Sequence, residues 1–571
     1  MSTTTTETRS PVSRHEHPHS TDGAHPQGTV RILGVLLRQR MRRDRWQLLI
    51  WILCIALLAL FSASSIQTTY GDAAGRADLV KLAIANPAIL ILRGLPQGTG
   101  LASVTFFEIF TFLALLAGLM STFLAVRHSR AEEESGRAEL VASTPAARIL
   151  PTVATLTHGV LANVVLAVLT GLGFIAAGLP ATGSFVAGAA VGGAGIAFLA
   201  VGLLLAQLMM SSRGANGFAS AIVVLAYVLR GIGDATGTVT GDGNHMISAW
   251  PTWLSPIGWG EQMAAYTAND WRPLLLDLGL AAVLMVIVFA LQSVRDSGAG
   301  LIPERAGRRD ARAALNGPFG LAWRLQWPTI LGWTVGGLFT GLLAGSLGSV
   351  VSSAVADDPG LANIRTAIGS IGSGGSGPLT QVFVAAIFSL AGVLAAACAT
   401  QVAIRLRQEE AAGAAEVLMS TPLSRVRWLF EFLLVGVIAI VLVLVAAAVA
   451  AGLSAVSAGE DASIINDSFA AAAAQLPVGL VYLGVLALVF VVLPRLTIPL
   501  AWTLLGLGAF AGIFGGLIGL PDWAHDLSPF SHVPVVVGTV DWTGGYWMFG
   551  IAIVATAAAA ALIRRRDFAI G

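Results

Sequence analysis

Two stretches gather much of the charge in this chain. Glu132 to Arg148 reads EEESGRAELVASTPAAR, and Glu409 to Arg425 reads EEAAGAAEVLMSTPLSR. Each opens on carboxylates and closes on an arginine, the polarity that complements a helix dipole. Glu133 and Arg137 stand i, i+4 and are expected to pair on one helix face. Proline disfavours helical backbone at the residue before it, so Ser143-Thr144-Pro145 and Ser420-Thr421-Pro422 should end these helices. The spacing predicts short helices over 131–142 and 408–419. At an offset of 277, Arg130 matches Arg407, Glu132 matches Glu409, and Glu133 matches Glu410. Gly136 and Gly413, Glu139 and Glu416, Pro145 and Pro422, and Arg148 and Arg425 keep the same offset. A solvated turn would not need glycine, glutamate and proline in identical register. A docking surface for a symmetric partner would.

Other ionisable side chains fall inside apolar runs, where each is costly and is read as functional by default. They are Glu108 in TFFEIFTF, His158, Arg230 with Asp234 in LRGIGDATG, and Asp277 in PLLLDLGL. The offset of 277 sets Ala385 opposite Glu108, so Glu108 is expected to meet a cationic substrate or a coupled ion. A buried hydrogen-bonded pair is the plainer alternative. Arg230 and Asp234 are i, i+4 and can neutralise one another, as a structural pair or as part of a pathway. Asp277, about one turn into its run, is expected to reach the interface.

Nucleotide hydrolysis is excluded by the familiar route. A phosphate-binding loop needs a lysine followed by Ser or Thr after a glycine-rich turn, and the only lysine is Lys81, in ADLVKLAIA. No catalytic residue is expected. Cys54 and Cys398 both lie in apolar runs and read as small packing residues, suggesting neither a disulfide framework nor a zinc site. Residues 1–28 are polar and too hydrophilic for a signal peptide, so they read as a disordered tail. His15, His17, His19 and His25 in that tail have no folded scaffold to make them metal ligands.

The elements that must position these groups are membrane helices. The chain is 55% hydrophobic and only 11% charged, and its apolar residues fall in long uninterrupted runs. About twelve of these approach the ~20 residues needed to cross a ~30 Å hydrocarbon layer. They begin near Trp46, Ser103, Thr152, Ser184, Asn216 and Pro273, then near Trp327, Leu379, Trp428, Ala471, Leu496 and Tyr546. The runs from Asn216 and Leu496 end in glycine-rich, polar-tipped sequence and are expected to be broken or re-entrant. Trp250, Trp253, Trp259 and Trp523, in the outer segments 237–272 and 519–545, suit interfacial anchors or an exit for apolar compounds. Those segments are expected to form re-entrant or capping elements.

Basic residues stay preferentially in the cytoplasm. With the N-terminus inside, most of the 33 Lys+Arg fall in inner segments, and the outer loops hold only Arg76, Lys81, Arg93, Arg272 and Arg365. Both termini are therefore expected to be cytoplasmic. The repeat extends beyond the charged motif: Trp51 echoes Trp333, Leu254-Ser255-Pro256 echoes Leu527-Ser528-Pro529, and Arg295-Asp296 echoes Arg566-Asp567. Two six-span halves, 29–300 and 319–571, follow, joined by a cytoplasmic linker over 301–318. An even span count makes them parallel repeats, with a pathway between them.

At the repeated motif the sequence resembles the membrane subunit of ABC-2 type exporters, in particular the fused twelve-span permeases of actinobacterial polyketide-antibiotic exporters of the tetronasin-resistance type. The resemblance rests on RHSRAEEESGRAELVASTPAAR and its second copy, RQRMRRDRW before span 1, the LSP segments before spans 6 and 12, and the terminal RRRDF. It implies an all-α polytopic membrane protein of about twelve transmembrane helices with a type V exporter-like fold, in a bacterial plasma membrane. It implies coupling helices that dock on two copies of a separate ABC ATPase through Glu132, Glu133, Gly136, Arg137, Glu139, Glu409, Glu410, Gly413 and Glu416. ATP and Mg would be bound by that partner, so this chain needs no cofactor. The cargo would be a hydrophobic or amphipathic small molecule, a drug or polyketide antibiotic, and no nucleic acid is involved. Ala414 stands where the first copy has Arg137, so the two docking sites would be unequal. The alternative is a proton-coupled secondary drug transporter of the major facilitator type. That family's loop is short, basic and built on a Gly-x-x-x-Asp-Arg-x-Gly-Arg-Arg pattern, which this loop lacks.

Overall fold

The computed structural model describes residues 26–85, 87–142, 148–241, 243–295, 300–302, 317–357, 379–514, 521–536 and 540–566. Among them, twelve helices are long and apolar enough to cross a membrane. The chain is an all-α polytopic membrane protein that divides into two compact units, Met1–Arg305 and Ala306–Gly571. The histidine-bearing tail and most of the linker lie outside the described residues.

The first unit carries α1 (Pro26–Thr69), α2 (Ala73–Ala85), α3 (Pro87–Arg93), α4 (Leu101–Arg127), α5 (Arg130–Glu134), α6 (Arg137–Ala142), α7 (Leu150–Ala176), α8 (Ala181–Leu208), α9 (Ser212–Ala235), α10 (Pro256–Gln262) and α11 (Leu274–Val294). Its centre is α8, buried along most of its length, which packs on α4, α7 and α11. The reason is its sequence, ATGSFVAGAAVGGAGIAFLAV: small side chains let neighbouring backbones approach closely in an environment where dispersion drives helix packing. By contrast α1 exposes Trp46, Ile50, Leu53 and Phe61, the surface of a lipid-facing helix. A two-residue hairpin, Thr238–Val239 against Met246–Ile247, is the one sheet among the described residues.

The second unit carries α12 (Pro318–Asp357), α13 (Leu379–Ala411), α14 (Ala414–Met419), α15 (Arg425–Ser457), α16 (Ile464–Val492), α17 (Thr497–Ala509), α18 (Asp522–His525) and α19 (Thr543–Leu562). It repeats the plan, with α16 packing on α13, α15 and α19 as α8 packs on α4, α7 and α11. α12 packs extensively along α15. A methyl group added at Gly341 or Gly345 would fall on the carbonyl oxygens of Ala447 and Ala451.

The LSP echo has a structural cause in helix capping. Ser255 accepts a hydrogen bond from the Gly258 amide at the start of α10, and Pro256 fills the first helical position, where no N–H is needed. Ser528 repeats the cap, accepting from the Phe530 amide in a 3₁₀ turn over Pro529–His532. These short elements supply the structure expected in the outer segments. Trp250 and Trp523 are exposed, and the Trp259 indole donates to the Trp253 carbonyl at 2.7 Å.

Two expectations about the spans change. The run from Asn216 is not broken: Ser211 caps α9, which continues unbroken to Ala235. The run from Leu496 does become irregular, passing from α17 into a π-helical turn over Phe510–Phe514. Cys54 is exposed on α1 while Cys398 is buried, so only the latter is a packing residue.

Candidate functional site

The duplicated motif forms not one short helix per copy but a helix, a left-handed glycine, and a second helix. In the first unit α5 stops at Glu134, Gly136 takes φ 72°, and α6 begins at Arg137. In the second, α13 runs on to Ala411, Gly413 takes φ 73°, and α14 follows. This corrects the expectation of continuous helices over 131–142 and 408–419. A Cβ at either glycine would meet open space, so the glycines are required by conformation and not by crowding. The second copy ends at Met419, just ahead of Ser420-Thr421-Pro422, as proline dictates. Ser143-Thr144-Pro145 lies outside the described residues.

Glu133 does not pair with Arg137. Arg130 Nη1 donates to its Oε2 at 2.8 Å, and Arg295 Nη2 donates to its Oε1. Arg137 points outward on α6. Arg148 in turn donates to the backbone carbonyl of Arg295, and Arg130 Nε holds the Met210 carbonyl at 3.0 Å. The second unit reproduces this tether residue for residue. Arg407 approaches Glu410 at 3.7 Å, Arg566 donates to Glu410, and Arg425 donates to the Arg566 carbonyl. The repeated Arg130, Glu133, Arg148 and Arg295 thus close the motif onto the C-terminal end of the last span of each half. Glu410 is buried, and the Glu133 side chain is only 18% exposed, so their carboxylates are committed within the chain.

The neighbouring carboxylates are committed too. Glu132 meets Arg43 at 3.1 Å, Arg40 at 3.9 Å and His128 Nδ1 at 3.3 Å. Glu409 meets Arg405 at 2.6 Å, where Arg405 stands in the register of His128. What faces outward at equal register is a different pair. Glu139 and Leu140 on α6, and Glu416 and Val417 on α14, are all exposed, Leu140 at 73% and Val417 at 71%. Reading charge alone missed the apolar member of that pair, although Leu140 and Val417 keep the offset of 277.

Of the charges inside spans, Arg230 and Asp234 form the expected pair, Nη1 to Oδ2 at 3.0 Å, with both side chains fully buried. Arg230 also donates to the Leu90 and Ile91 carbonyls at 3.2 and 2.7 Å, and Thr252 donates to Asp234 Oδ1 at 3.0 Å. Sequence reading missed a third member, Glu261 on α10. Its Oε1 accepts the Leu95 amide, and burial, reinforced by the nearby Asp234 charge, raises its pKa well above the ordinary value. Its position shortly after the LSP segment was the available signal.

Asp277 does not reach the interface. It is fully buried beneath Gly193, and among the described residues neither of its carboxylate oxygens has a hydrogen-bond partner. Glu108 is also buried and pairs with Arg93, which α3 brings in from what reads as an outer loop. Among the described residues its Oε1 has no hydrogen-bond partner. Glu108 borders an open cavity of about 370 Å³, lined also by Phe61, Ser62, Ser65, Ile66 and Ile109. His158 faces Asp44 of α1, Nε2 to Oδ2 at 3.3 Å.

The family model described as "Multidrug efflux system permease Rv1217c, C-terminal domain" matches residues 37–291 and 315–564, one segment in each unit apart from the linker. The "Multidrug efflux system permease protein Rv1217c" of Mycobacterium tuberculosis (strain ATCC 25618 / H37Rv) is 35% identical over 572 residues, covering 99% of this chain and 100% of its own length. These matches support multidrug efflux and not the narrower tetronasin-type resemblance. A transmembrane efflux permease is thereby identified: this chain belongs to the family of multidrug efflux system permeases typified by Rv1217c.

Proposed function

We propose that this chain is the transmembrane subunit of an ATP-driven exporter of hydrophobic or amphipathic small molecules, polyketide antibiotics among them. Two copies of a separately encoded ABC ATPase would supply the energy and bind ATP and Mg. The observation that carries this reading is the exposure of Glu139-Leu140 and Glu416-Val417 at equal register, each on a short helix that follows the same internal arginine tether. An apolar residue beside a carboxylate, presented twice, fits a two-copy partner. Both termini and both motifs would face the cytoplasm. Closure of the ATPases would push α6 and α14, and the tethers would pass that push to α11 and α19. The absence of a lysine-bearing phosphate loop supports an outside source of energy.

Among the docking residues assigned by resemblance, Arg137, Glu139 and Glu416 keep that role. Glu132, Glu133, Glu409 and Glu410 act inside the permease, and Gly136 and Gly413 set the angle of the docking helices.

A second reading, a proton-coupled transporter, draws on one observation. Asp277 is an ionisable group buried inside a span, with neither oxygen hydrogen-bonded among the described residues, the kind of site a coupled ion would use.

Native mass spectrometry of the permease co-expressed with the ATPase encoded beside it tests the choice. One permease with two ATPase chains, lost in Glu139→Arg with Glu416→Arg at unchanged Tm, is the expected result. A permease that never holds an ATPase and transports on a proton gradient would sink it in favour of the second reading.

A further inference from the structure

Three helices converge on a cluster that neither docking nor efflux explains. Asp44 of α1, His128 at the end of α4 and His158 of α7 are all buried, and one ligand atom from each lies within 4.8 Å of the others. Both imidazoles turn Nε2 toward the same carboxylate oxygen, Asp44 Oδ2, with His158 at 3.3 Å. The rings stand nearly perpendicular at 5.7 Å between centroids.

The outer contacts fix what these atoms can do. Arg127 Nε lies 3.2 Å from Asp44 Oδ1, which leaves Oδ2 directed at the imidazoles. His128 Nδ1 lies 3.3 Å from Glu132 Oε1. Carboxylates only accept, so Glu132 holds a proton on Nδ1, and Asp44 Oδ2 opposite Nε2 calls for a cation there, either a second ring proton or a metal ion. A carboxylate behind a histidine is also the usual way that protein metal sites orient an imidazole and raise its basicity.

We propose that Asp44, His128 and His158 bind a divalent transition metal, zinc in the first instance, through Oδ2 and the two Nε2 atoms, with Glu132 as the positioning residue behind His128. The neighbouring guanidiniums of Arg40, Arg43 and Arg127 oppose cations held by charge alone. Imidazole ligands favour zinc and its neighbours over magnesium or calcium. The metal would tie the inner end of α1 to α4 and α7, at the root of the first motif. The second unit offers no equivalent. Gln326, Arg405 and Val435 stand at the matching positions, so the site belongs to the first half alone.

The test uses the full chain in lipid nanodiscs, purified without a histidine tag and carrying His15→Ala, His17→Ala, His19→Ala and His25→Ala to silence the tail. After stripping with a chelator, zinc alone is titrated and bound metal is counted by mass spectrometry. A single zinc per chain is expected, lost in His158→Ala and Asp44→Asn, and weakened about tenfold by Glu132→Gln. Cobalt in the otherwise unmutated protein should give visible d–d bands of a nitrogen- and oxygen-ligated site, a readout independent of how the variants fold. No zinc bound, or zinc retained unchanged in His158→Ala, would overturn the assignment.

Discussion

Arg295 reaches back across 162 residues of chain to the carboxylate of Glu133, and Arg566 does the same to Glu410 across 156. Each ion pair joins the charged motif after the second span of a half to the end of its sixth. The repetition explains why glutamate and arginine recur in both halves: they close the same internal joint twice.

Removing one partner of this joint leaves a charge with little water around it. Glu133→Ala or Arg295→Ala should cost on the order of 3 kcal/mol, the range for breaking a buried pair, less for Arg295→Ala because the Glu133 carboxylate left behind keeps some solvent and still meets Arg130. Thermal unfolding in nanodiscs checks this. Glu133→Arg with Glu410→Arg should lower Tm markedly, so its loss of function would report a broken joint and not a broken docking surface. An unchanged Tm would mean that the tether carries no stability.

Gly136 and Gly413 have room for a side chain but hold a backbone angle that alanine resists. Alanine at either position should cost about 1–2 kcal/mol, while asparagine, which tolerates the left-handed region, should cost less. ATPase stimulation by the reconstituted permease should follow the same order. Equal behaviour of the two substitutions would show that conformation is not the requirement.

Leu140→Ala and Val417→Ala should leave stability within about 0.5 kcal/mol of wild type, as exposed substitutions do, yet weaken retention of the ATPase. Co-purification through a tag on the ATPase measures it. Full retention in the double variant would remove the apolar contact from the interface.

Glu261 gives stability a pH dependence of defined sign. Its folded pKa lies well above the ordinary 4.5 because of burial first and the Asp234 charge second. Between 4.5 and that raised value the unfolded chain releases a proton that the folded chain keeps, so stability falls as pH rises through this window. Glu261→Gln should flatten the fall. Tm at pH 5 and pH 8 for both proteins is the measurement, and identical slopes would show that Glu261 is already ionised in the fold.

Asp277 has no hydrogen-bond partner to lose among the described residues. Asp277→Leu should leave Tm unchanged or raise it, since it removes a buried polar group with no hydrogen bond. If Asp277→Asn transports normally at every pH, the proton-coupled reading loses its main support.

Much of this molecule was legible in the residues alone. Twelve spans, the duplication and the Arg230–Asp234 pair are local or periodic properties. An apolar run spans because backbone groups in lipid must bond within their own helix, and an i, i+4 pair needs only the helix itself. The importance of the charged motif was legible too, because two copies in register can be compared with one another. The partner of each charge was not. Glu133 chose Arg295 over Arg137 because Gly136 turns the chain between Glu133 and Arg137, breaking the helix that i, i+4 pairing assumes. Glu108 found Arg93 only because α3 folds back onto α4, and Asp277 was sealed in only because the small residues of α8 let α11 pack closely over it. Asp44 reads as one acid within a basic run, RQRMRRDRW, until tertiary packing brings two histidines from other helices to it. Sequence alone determined which segments must be buried or paired. The packing of helices distant in the chain decided with what, since side chains at membrane depth take whichever partner close approach supplies.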